Sequence, residues 1–325
     1  MKIVIGTRPA WVGVDHGLRI LSKISGAKYV SIEDDNNLFR YITAIRSENP
    51  DVVILGGWDN MIKTMMLNLS DDITKVIRWC SPLTQSELSN EMPRFYDIIE
   101  SINSGKISYL ITDLYSDAMI LKSFCNNIVW LPEVCDFETI KAPNPVKFND
   151  GLSHVSLLCA ANPRKNILTQ LMALRNLDNI KTHTNFHAHH YLILAEILKA
   201  NVVNHSWMKK EHYYNIISGM YFGTQVSLSE SFNHTVAEHM YLGIPVITSR
   251  MCPALCEASD ELMNKHLIVD NAQDGIEMFK KYKDMTDSKS LRDELGESCK
   301  KAILKVNETR MHHINEFVNK LKVGN

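Results

Sequence analysis

Two carboxylates bracket the start of a predicted helix in the second half of the chain. The helix start suits an anion, and the carboxylates suit hydroxyl groups. Glu230 ends an apolar strand, and Glu238 lies about one turn inside the following helix. The backbone N–H groups of residues 233–236 open that helix. With the positive end of the helix dipole, they suit an anion such as a diphosphate. Carboxylates accept hydrogen bonds from sugar hydroxyls, although an ordinary solvated carboxylate at Glu238 is the alternative.

A pair of cations, Arg164 and Lys165, follows the first predicted strand of the second half and precedes a helix that begins near Asn166. Arginine supplies a planar fork and lysine a point charge, and together they would stabilise the negative charge of a departing diphosphate. The helix dipole disfavours two cations at a helix start unless they have another task. The sequence therefore favours a functional role over a solvated pair.

The stretch from Glu230 to Val246 resembles the Glu-x7-Glu signature of retaining glycosyltransferases with the GT-B fold, particularly family 4, whose usual form reads EGFGxxxxEAMAxGxPV. The residues in register are Glu230, Phe232, Glu238, Met240, Gly243, Pro245 and Val246. Ser231 and Asn233 replace the usual glycines, and His239 replaces an alanine. Residues 160–166 resemble the G-R-x-x-x-x-K-N segment of the same family, and residues 128–136 its V-I-P-N-G-V-D segment.

This resemblance implies retaining transfer of a sugar from a nucleotide-diphosphate sugar, with no metal or other cofactor. It implies catalytic roles for Arg164 and Lys165 at the leaving diphosphate and for Glu230 at the sugar ring. The donor contacts that it implies are Glu238, which would bind the ribose, and Phe232, Asn233, His234, Thr235, Val236, Trp207, Met208 and Gly13. Trp207 either stacks on the base or packs at a strand–helix junction. The acceptor should bind mainly to the first domain, where His16 is a candidate.

A cluster of histidines, at positions 183, 187, 189 and 190, raises the question of a metal site. Spacings of three and four residues place some of them on one helical face, but no cysteine or carboxylate joins them. The sequence therefore favours a polar surface edge, and we predict no metal site.

Short apolar runs alternate with stretches of helical period, which predicts an α/β chain with two Rossmann-like, doubly wound domains facing a cleft. The predicted strands of the first half are Lys2–Ile5, Tyr29–Ile32, Asp51–Leu55, Lys75–Trp79, Tyr109–Thr112 and Ile128–Leu131. Those of the second half are His154–Cys159, Asn185–His187, Val202–Asn204, Gly223–Leu228 and Val246–Thr248. The polar, proline-containing segment 140–151 is the predicted linker. We expect domains at 1–145 and 146–305, and a C-terminal helix at 306–325 that returns towards the first domain.

Charge and composition exclude several classes of protein. The 325 residues are 45% hydrophobic and 22% charged, which is ordinary globular usage. Residues 1–149 carry 15 basic and 18 acidic side chains, and the remainder carry 20 and 19. Neither half has the cationic excess on which non-specific binding to nucleic acid or anionic membranes draws. Because the acidic excess lies in the acceptor half, a small or glycan acceptor is favoured over nucleic acid.

Cysteine usage and hydropathy bear on location. Seven scattered cysteines without a CxxC pair favour reduced thiols. No apolar run approaches the roughly 18 residues that span a membrane, and no signal segment is recognisable. These features predict a cytoplasmic protein and give no indication of oligomeric state.

Three alternatives stay open. Gly6-Thr7-Arg8-Pro9 resembles the start of the UDP-N-acetylglucosamine 2-epimerases, although Ala10 stands where those enzymes have glutamate. Some bacteriophage enzymes of this general shape glycosylate modified DNA bases. The departures at Ser231 and Asn233 also leave room for a non-catalytic protein that binds nucleotide sugars.

Overall fold

A computed structural model of the chain describes residues 1–9, 12–33, 37–88, 90–141 and 143–323. Ala10, in the epimerase-like stretch, and Ala142, in the predicted linker, lie outside the described residues. The chain divides into two compact units, of which the first comprises residues 1–135 together with the C-terminal segment from Glu308. The second comprises Asp136–Asn307, so the boundary between the units precedes the predicted linker.

The first unit is a parallel sheet with helices between its strands. Its elements in chain order are β1 (Ile3–Thr7), α1 (Val12–Ser25), β2 (Lys28–Ser31), α2 (Leu38–Ser47), β3 (Val52–Gly56), α3 (Asn60–Asn68), β4 (Thr74–Trp79), α4 (Leu83–Leu88), α5 (Met92–Asn103), β5 (Tyr109–Thr112), α6 (Tyr115–Leu121) and β6 (Ile128–Trp130). In the described part of the unit, the strand order is β2-β1-β3-β4-β5-β6. The strands are short apolar runs because helices cover both faces of such a sheet.

The second unit repeats this architecture. Its elements are β7 (Ser153–Leu157), α7 (Ile167–Arg175), β8 (Ile180–Thr184), α8 (His189–Ile197), β9 (Val202–Asn204), α9 (Lys210–Ile217), β10 (Phe222–Gln225), α10 (His234–Tyr241), β11 (Val246–Ser249), α11 (Pro253–Cys256), α12 (Glu261–Leu267), β12 (Ile268–Val269) and α13 (Gly275–Asp287). A last helix, α14 (Lys289–Val323), begins here and ends in the first unit. Single 3-10 turns lie at Phe137–Thr139 and Pro163–Lys165. None of the described helices is long and apolar enough to cross a lipid bilayer.

The strand order of the second sheet places the candidate residues together. Over the described residues the order is β12-β11-β10-β7-β8-β9, and all of its pairs are parallel. The chain runs outwards from β7 to β9, crosses back to β10 and continues on the other side. The loops after β7 and β10 therefore leave the same edge of the sheet in opposite directions, which creates the crevice where open α/β sheets bind ligands.

The predicted strand at Asn185–His187 is wrong. The strand is Ile180–Thr184, and residues 185–187 form the loop that follows it. Its sequence, IKTHT, lacks the apolar run that marks a buried strand, yet His183 is buried there. The prediction that His183 lies on a polar surface edge is therefore also wrong, because hydrogen bonds to other histidines compensate the burial of its ring.

Candidate functional site

A tight turn after β7 presents Arg164 and Lys165. The side chain of Asn162 accepts a hydrogen bond from the Arg164 backbone N–H at 3.0 Å and so caps the 3-10 turn. Asn166 then adopts a left-handed conformation, with φ of 52°, which asparagine tolerates better than most residues. The turn thereby redirects the chain into α7 within one residue. Its two cations consequently lie on a fixed backbone.

Gln170, on α7, fastens this turn to the segment that follows β10. Its amide nitrogen donates to the Lys165 carbonyl at 2.7 Å, and its amide oxygen accepts from the Val226 backbone N–H at 2.9 Å and from the Thr224 hydroxyl at 2.8 Å. The Leu228 backbone N–H also donates to the Arg164 carbonyl, at 2.7 Å. Gln170 is fully buried, and sequence reasoning did not identify it because a single glutamine on a helix carries no motif.

Glu230 lies between the two cations. Arg164 Nη1 donates to Glu230 Oε2 at 2.9 Å, and Lys165 Nζ donates to Glu230 Oε1 at 2.5 Å. Arg164 Nη1 also reaches the Ser229 carbonyl at 3.0 Å. The structure thus brings together the three residues that the sequence predicted as catalytic. Two cations against one carboxylate leave this cluster with a net positive charge, which suits a further anion.

The two predicted carboxylates lie in separate hydrogen-bond networks. Burial of Glu230 opposes its ionisation, but the charges of Lys165 and Arg164 outweigh burial and lower the pKa of its carboxyl group. Burial raises the pKa of Glu238, and the charge of His234 and hydrogen bonding oppose the rise only in part. Glu238 Oε1 accepts from the Tyr214 hydroxyl of α9 at 3.1 Å. Two carboxyl groups with opposite pKa shifts are suited to different tasks.

Asn233 caps the helix that follows Glu230. It has a left-handed backbone, with φ of 73° and ψ of 82°, and it stands where the resembled signature has a glycine. Its amide nitrogen donates to Glu230 Oε1 at 3.1 Å, and its amide oxygen accepts from the Val236 backbone N–H at 3.2 Å. The expectation of an unpaired N–H at Val236 is therefore wrong, because the cap uses it.

Phe232 and Val236 anchor the turn from below, since both side chains are fully buried. The donor contact of Phe232 stays a prediction, and in this structure its side chain packs in the core. His234 and Thr235, at the start of α10, are partly exposed. The helix ends as predicted, with Gly243 in a left-handed conformation directly after its C-terminal residues.

The remaining predicted contacts lie elsewhere in the chain. Trp207 follows β9 and is 69% exposed, so it does not fill a core, and Met208 beside it is half-buried. Gly13 lies in the first turn of α1, in the first unit, and His16 lies half-buried on the same helix. Across the described residues, no group of three or more His, Cys, Asp or Glu side chains is arranged to hold a metal ion.

A buried ion pair in the first unit was not predicted. Arg78, at the end of β4, donates to Asp113 Oδ1 from Nε at 3.0 Å and from Nη2 at 2.9 Å. Burial raises the pKa of Asp113, while the charge of Arg78 opposes the rise. Arg310 of α14 donates to the Glu133 carbonyl at 2.7 Å and so fastens the C-terminal helix near this pair. Both members of the pair are buried, which indicates a structural role.

Solved structures resemble the whole chain, whereas no protein family profile and no curated protein matches its sequence. The apo structure of OtsA aligns with a TM-score of 0.74 at 12% identity, over 99% of both chains. Sucrose-phosphate synthase from Thermosynechococcus elongatus aligns with a TM-score of 0.73 at 10% identity, over 100% of both. TarM from S. aureus, in complex with UDP, aligns with a TM-score of 0.65 at 15% identity, over 87% of this chain and 59% of that chain. At these identities the likeness shows the fold, and it confirms the predicted pair of Rossmann-like domains.

Proposed function

We propose that this chain, which has the GT-B fold, transfers a sugar from a nucleotide-diphosphate sugar with retention of anomeric configuration. The observation that carries the proposal is the contact of Arg164, Lys165 and Glu230 at the crevice of the second sheet. Among the similar structures, TarM holds UDP, and one of trehalose-6-phosphate synthase concerns glycosyl transfer with retention.

The cations stabilise the leaving group. As the bond between the sugar and the diphosphate breaks, negative charge grows on the diphosphate oxygens. The guanidinium of Arg164 and the ammonium of Lys165 each have further N–H donors that Glu230 does not use, and these can donate to the diphosphate oxygens. Their backbone is held by Asn162 and Gln170, so little reorganisation is needed during the reaction. Removal of one such preorganised donor typically lowers turnover about 100- to 1000-fold.

The two carboxylates recognise hydroxyl groups. Glu230 is ionised, because the two cations lower its pKa, and its oxygens orient the sugar ring. Glu238 binds the ribose, with the Tyr214 hydroxyl holding one of its oxygens. The reaction as proposed needs no metal ion, so a chelator should leave the rate unchanged.

Turnover of labelled nucleotide sugars tests the proposal. UDP-glucose, UDP-N-acetylglucosamine and GDP-mannose are incubated with the protein, and the released sugar and its anomeric configuration are measured by NMR. Lys165→Met, which keeps the length of the side chain, should slow release of the sugar about 100-fold or more. Lys300→Met, at an exposed position on α14, is the matched control and should not.

Other products would identify the alternatives. Conversion of UDP-N-acetylglucosamine to its 2-epimer would identify an epimerase, and binding without turnover a non-catalytic protein. Transfer to DNA that contains hydroxymethylated bases would identify a DNA-modifying enzyme. Release of the inverted anomer, or normal turnover by Lys165→Met, would contradict the proposal itself.

A further inference from the structure

Three histidines of the second unit form a continuous hydrogen-bonded chain that the proposed sugar transfer does not use. His154 Nδ1 lies 2.7 Å from His183 Nε2, and His183 Nδ1 lies 2.8 Å from His205 Nε2. Asp150 closes one end, with Oδ1 2.8 Å from His154 Nε2. His154 lies in β7, His183 lies in β8, and His205 directly follows β9. The chain of rings therefore crosses three neighbouring strands and ends at the carboxyl edge of the sheet.

The carboxylate fixes the direction of every bond in this chain. Lys181 Nζ donates to Asp150 Oδ2 at 2.7 Å. Hydrogen bonds from His154 and Lys181 lower the pKa of Asp150, so its ionised carboxylate can only accept hydrogen bonds. His154 must then carry its proton on Nε2. A neutral imidazole has one donor and one acceptor, so His154 Nδ1 accepts from His183 Nε2, and His183 Nδ1 accepts from His205 Nε2. In this arrangement, which has three neutral rings, His205 Nδ1 at the open end is left with a lone pair.

Burial keeps the middle of the chain uncharged. His154 and His183 are buried, and Phe148 stacks on the His154 ring with centroids 3.7 Å apart. Burial above all, with the neighbouring rings and Lys181, lowers the pKa of His183 to about 3, and Asp150 opposes them only in part. Burial and His212 also lower the pKa of His205. At neutral pH His183 and His205 are therefore uncharged, and a proton added to either ring would turn its acceptor nitrogen into a second donor.

The open end is held rigidly. The His205 backbone N–H donates to the Thr184 carbonyl at 2.7 Å. The Asn204 side chain accepts from the Thr184 hydroxyl and the Phe186 backbone N–H, both at 2.8 Å, and donates to the Phe186 carbonyl at 3.2 Å. These bonds join the loops after β8 and β9. Among the described residues, His205 Nδ1 has no hydrogen-bond partner, so its lone pair is available to a ligand.

We propose that His205 selects the base of the donor nucleotide, because its Nδ1 accepts a hydrogen bond from a ring N–H of a base that stacks on Trp207. Trp207, two residues further along the loop, is 69% exposed, and its ring lies 6.2 Å from that of His187. Uracil and guanine carry such a ring N–H, whereas cytosine and adenine carry a lone pair there, which would face that of His205. The inference rests on the proposed function, and Asp150, His154 and His183 are its positioning residues.

Calorimetric titration of the full chain with UDP, CDP, GDP and ADP at pH 8 tests this inference. UDP should bind about tenfold more tightly than CDP, or GDP than ADP, because the mismatched pair leaves two acceptors opposed. The stronger of these two ratios identifies the base. His205→Ala should bring that ratio to about one, and His190→Ala, at an exposed position on α8, should leave it unchanged. Asp150→Ala should lower the ratio through the tautomer of His205, which nitrogen NMR of the rings observes directly.

The pH dependence separates recognition from a structural role. Protonated His205 donates from Nδ1, so the preference for UDP or GDP should fall at acid pH, below the ordinary imidazole pKa of about 6.5 because burial and His212 lower the pKa of His205. In His205→Ala it should not depend on pH. If the diphosphates bind and the ratio is the same in His205→Ala, this inference is wrong and the proposed function stands. If none of the four binds, the proposed function fails as well.

Discussion

Replacing Glu230 with glutamine removes the negative charge between Arg164 and Lys165 and preserves the size of the side chain. Glu230 is 4% exposed, so both cations lose a buried counter-charge. Removing one partner of a buried pair typically costs about 3–5 kcal/mol. The Arg164 side chain is 18% exposed and that of Lys165 is 10% exposed, so water recovers part of the loss. We expect the free energy of unfolding to fall by about 2–3 kcal/mol.

The same substitution should strengthen the binding of a diphosphate. The cluster loses its only negative charge among these three side chains, so an incoming anion meets two uncompensated cations. At about 5 Å and an effective dielectric constant of about 20–80, one unit charge contributes about 1–3 kcal/mol. UDP or GDP should therefore bind Glu230→Gln about tenfold more tightly. Turnover should fall about 100-fold, because the sugar ring loses the carboxylate that orients it.

Three measurements on one variant check this reasoning. Urea denaturation reports the loss of stability, calorimetry the affinity for the diphosphate, and release of labelled sugar the turnover. Glu211→Gln, at an exposed position on α9, is the control for the loss of a carboxylate. Weaker binding of the diphosphate by a folded Glu230→Gln would refute the assignment of Arg164 and Lys165 as phosphate ligands.

Three further substitutions probe the scaffold of the site. Gly296→Ala places a Cβ atom 2.3 Å from the Gly243 carbonyl oxygen. It should lower the melting temperature, although alanine favours a helix over glycine by about 1 kcal/mol. A rise would show that α14 does not pack on this turn. His239→Gln should flatten the pH dependence of stability. Burial lowers the pKa of His239 to about 4. Between about pH 6.5 and 4 only the unfolded state gains this proton, so wild-type stability falls by up to about 1.4 kcal/mol per pH unit as the pH drops. The same slope of stability against pH in the variant, measured by urea denaturation, would contradict this. Gln170→Leu leaves the Lys165 carbonyl and the Val226 N–H without their partner, so it should cost about 2–3 kcal/mol in urea denaturation and slow turnover; wild-type values would show that Gln170 does not hold the turn.

The sequence predicted most of the fold because parallel strands buried on both faces are short apolar runs. The strands β5 and β9 have the predicted bounds, and most of the other predicted strands differ only at their ends. The family resemblance assigned Arg164, Lys165 and Glu230 to one site. The structure brings them together because the loops that carry them follow neighbouring strands, β7 and β10.

Several features could not be predicted because they depend on contacts between distant residues. The β8 strand reads as polar, and only the histidines of β7 and the β9 loop make its burial favourable. Arg78 and Asp113 are 35 residues apart, and neither sequence neighbourhood indicates a buried pair. The helices α4 and α5 lie in a stretch that contains no strand signal, and the capping role of Asn233 depends on its hydrogen bond to the Val236 N–H, which no glycine pattern indicates.

Thermal unfolding with a panel of nucleotide sugars tests the central claim, that Arg164, Lys165 and Glu230 form the site for a donor diphosphate. At 100 times its dissociation constant, a bound donor stabilises the folded state by about 2.7 kcal/mol, which raises the melting temperature of a 325-residue chain by roughly 4 °C. We predict such a rise for at least one nucleotide sugar in the wild type and in Lys300→Met, and none in Lys165→Met at the same concentration. An equal rise in all three proteins, or no rise with any nucleotide sugar, would contradict the claim.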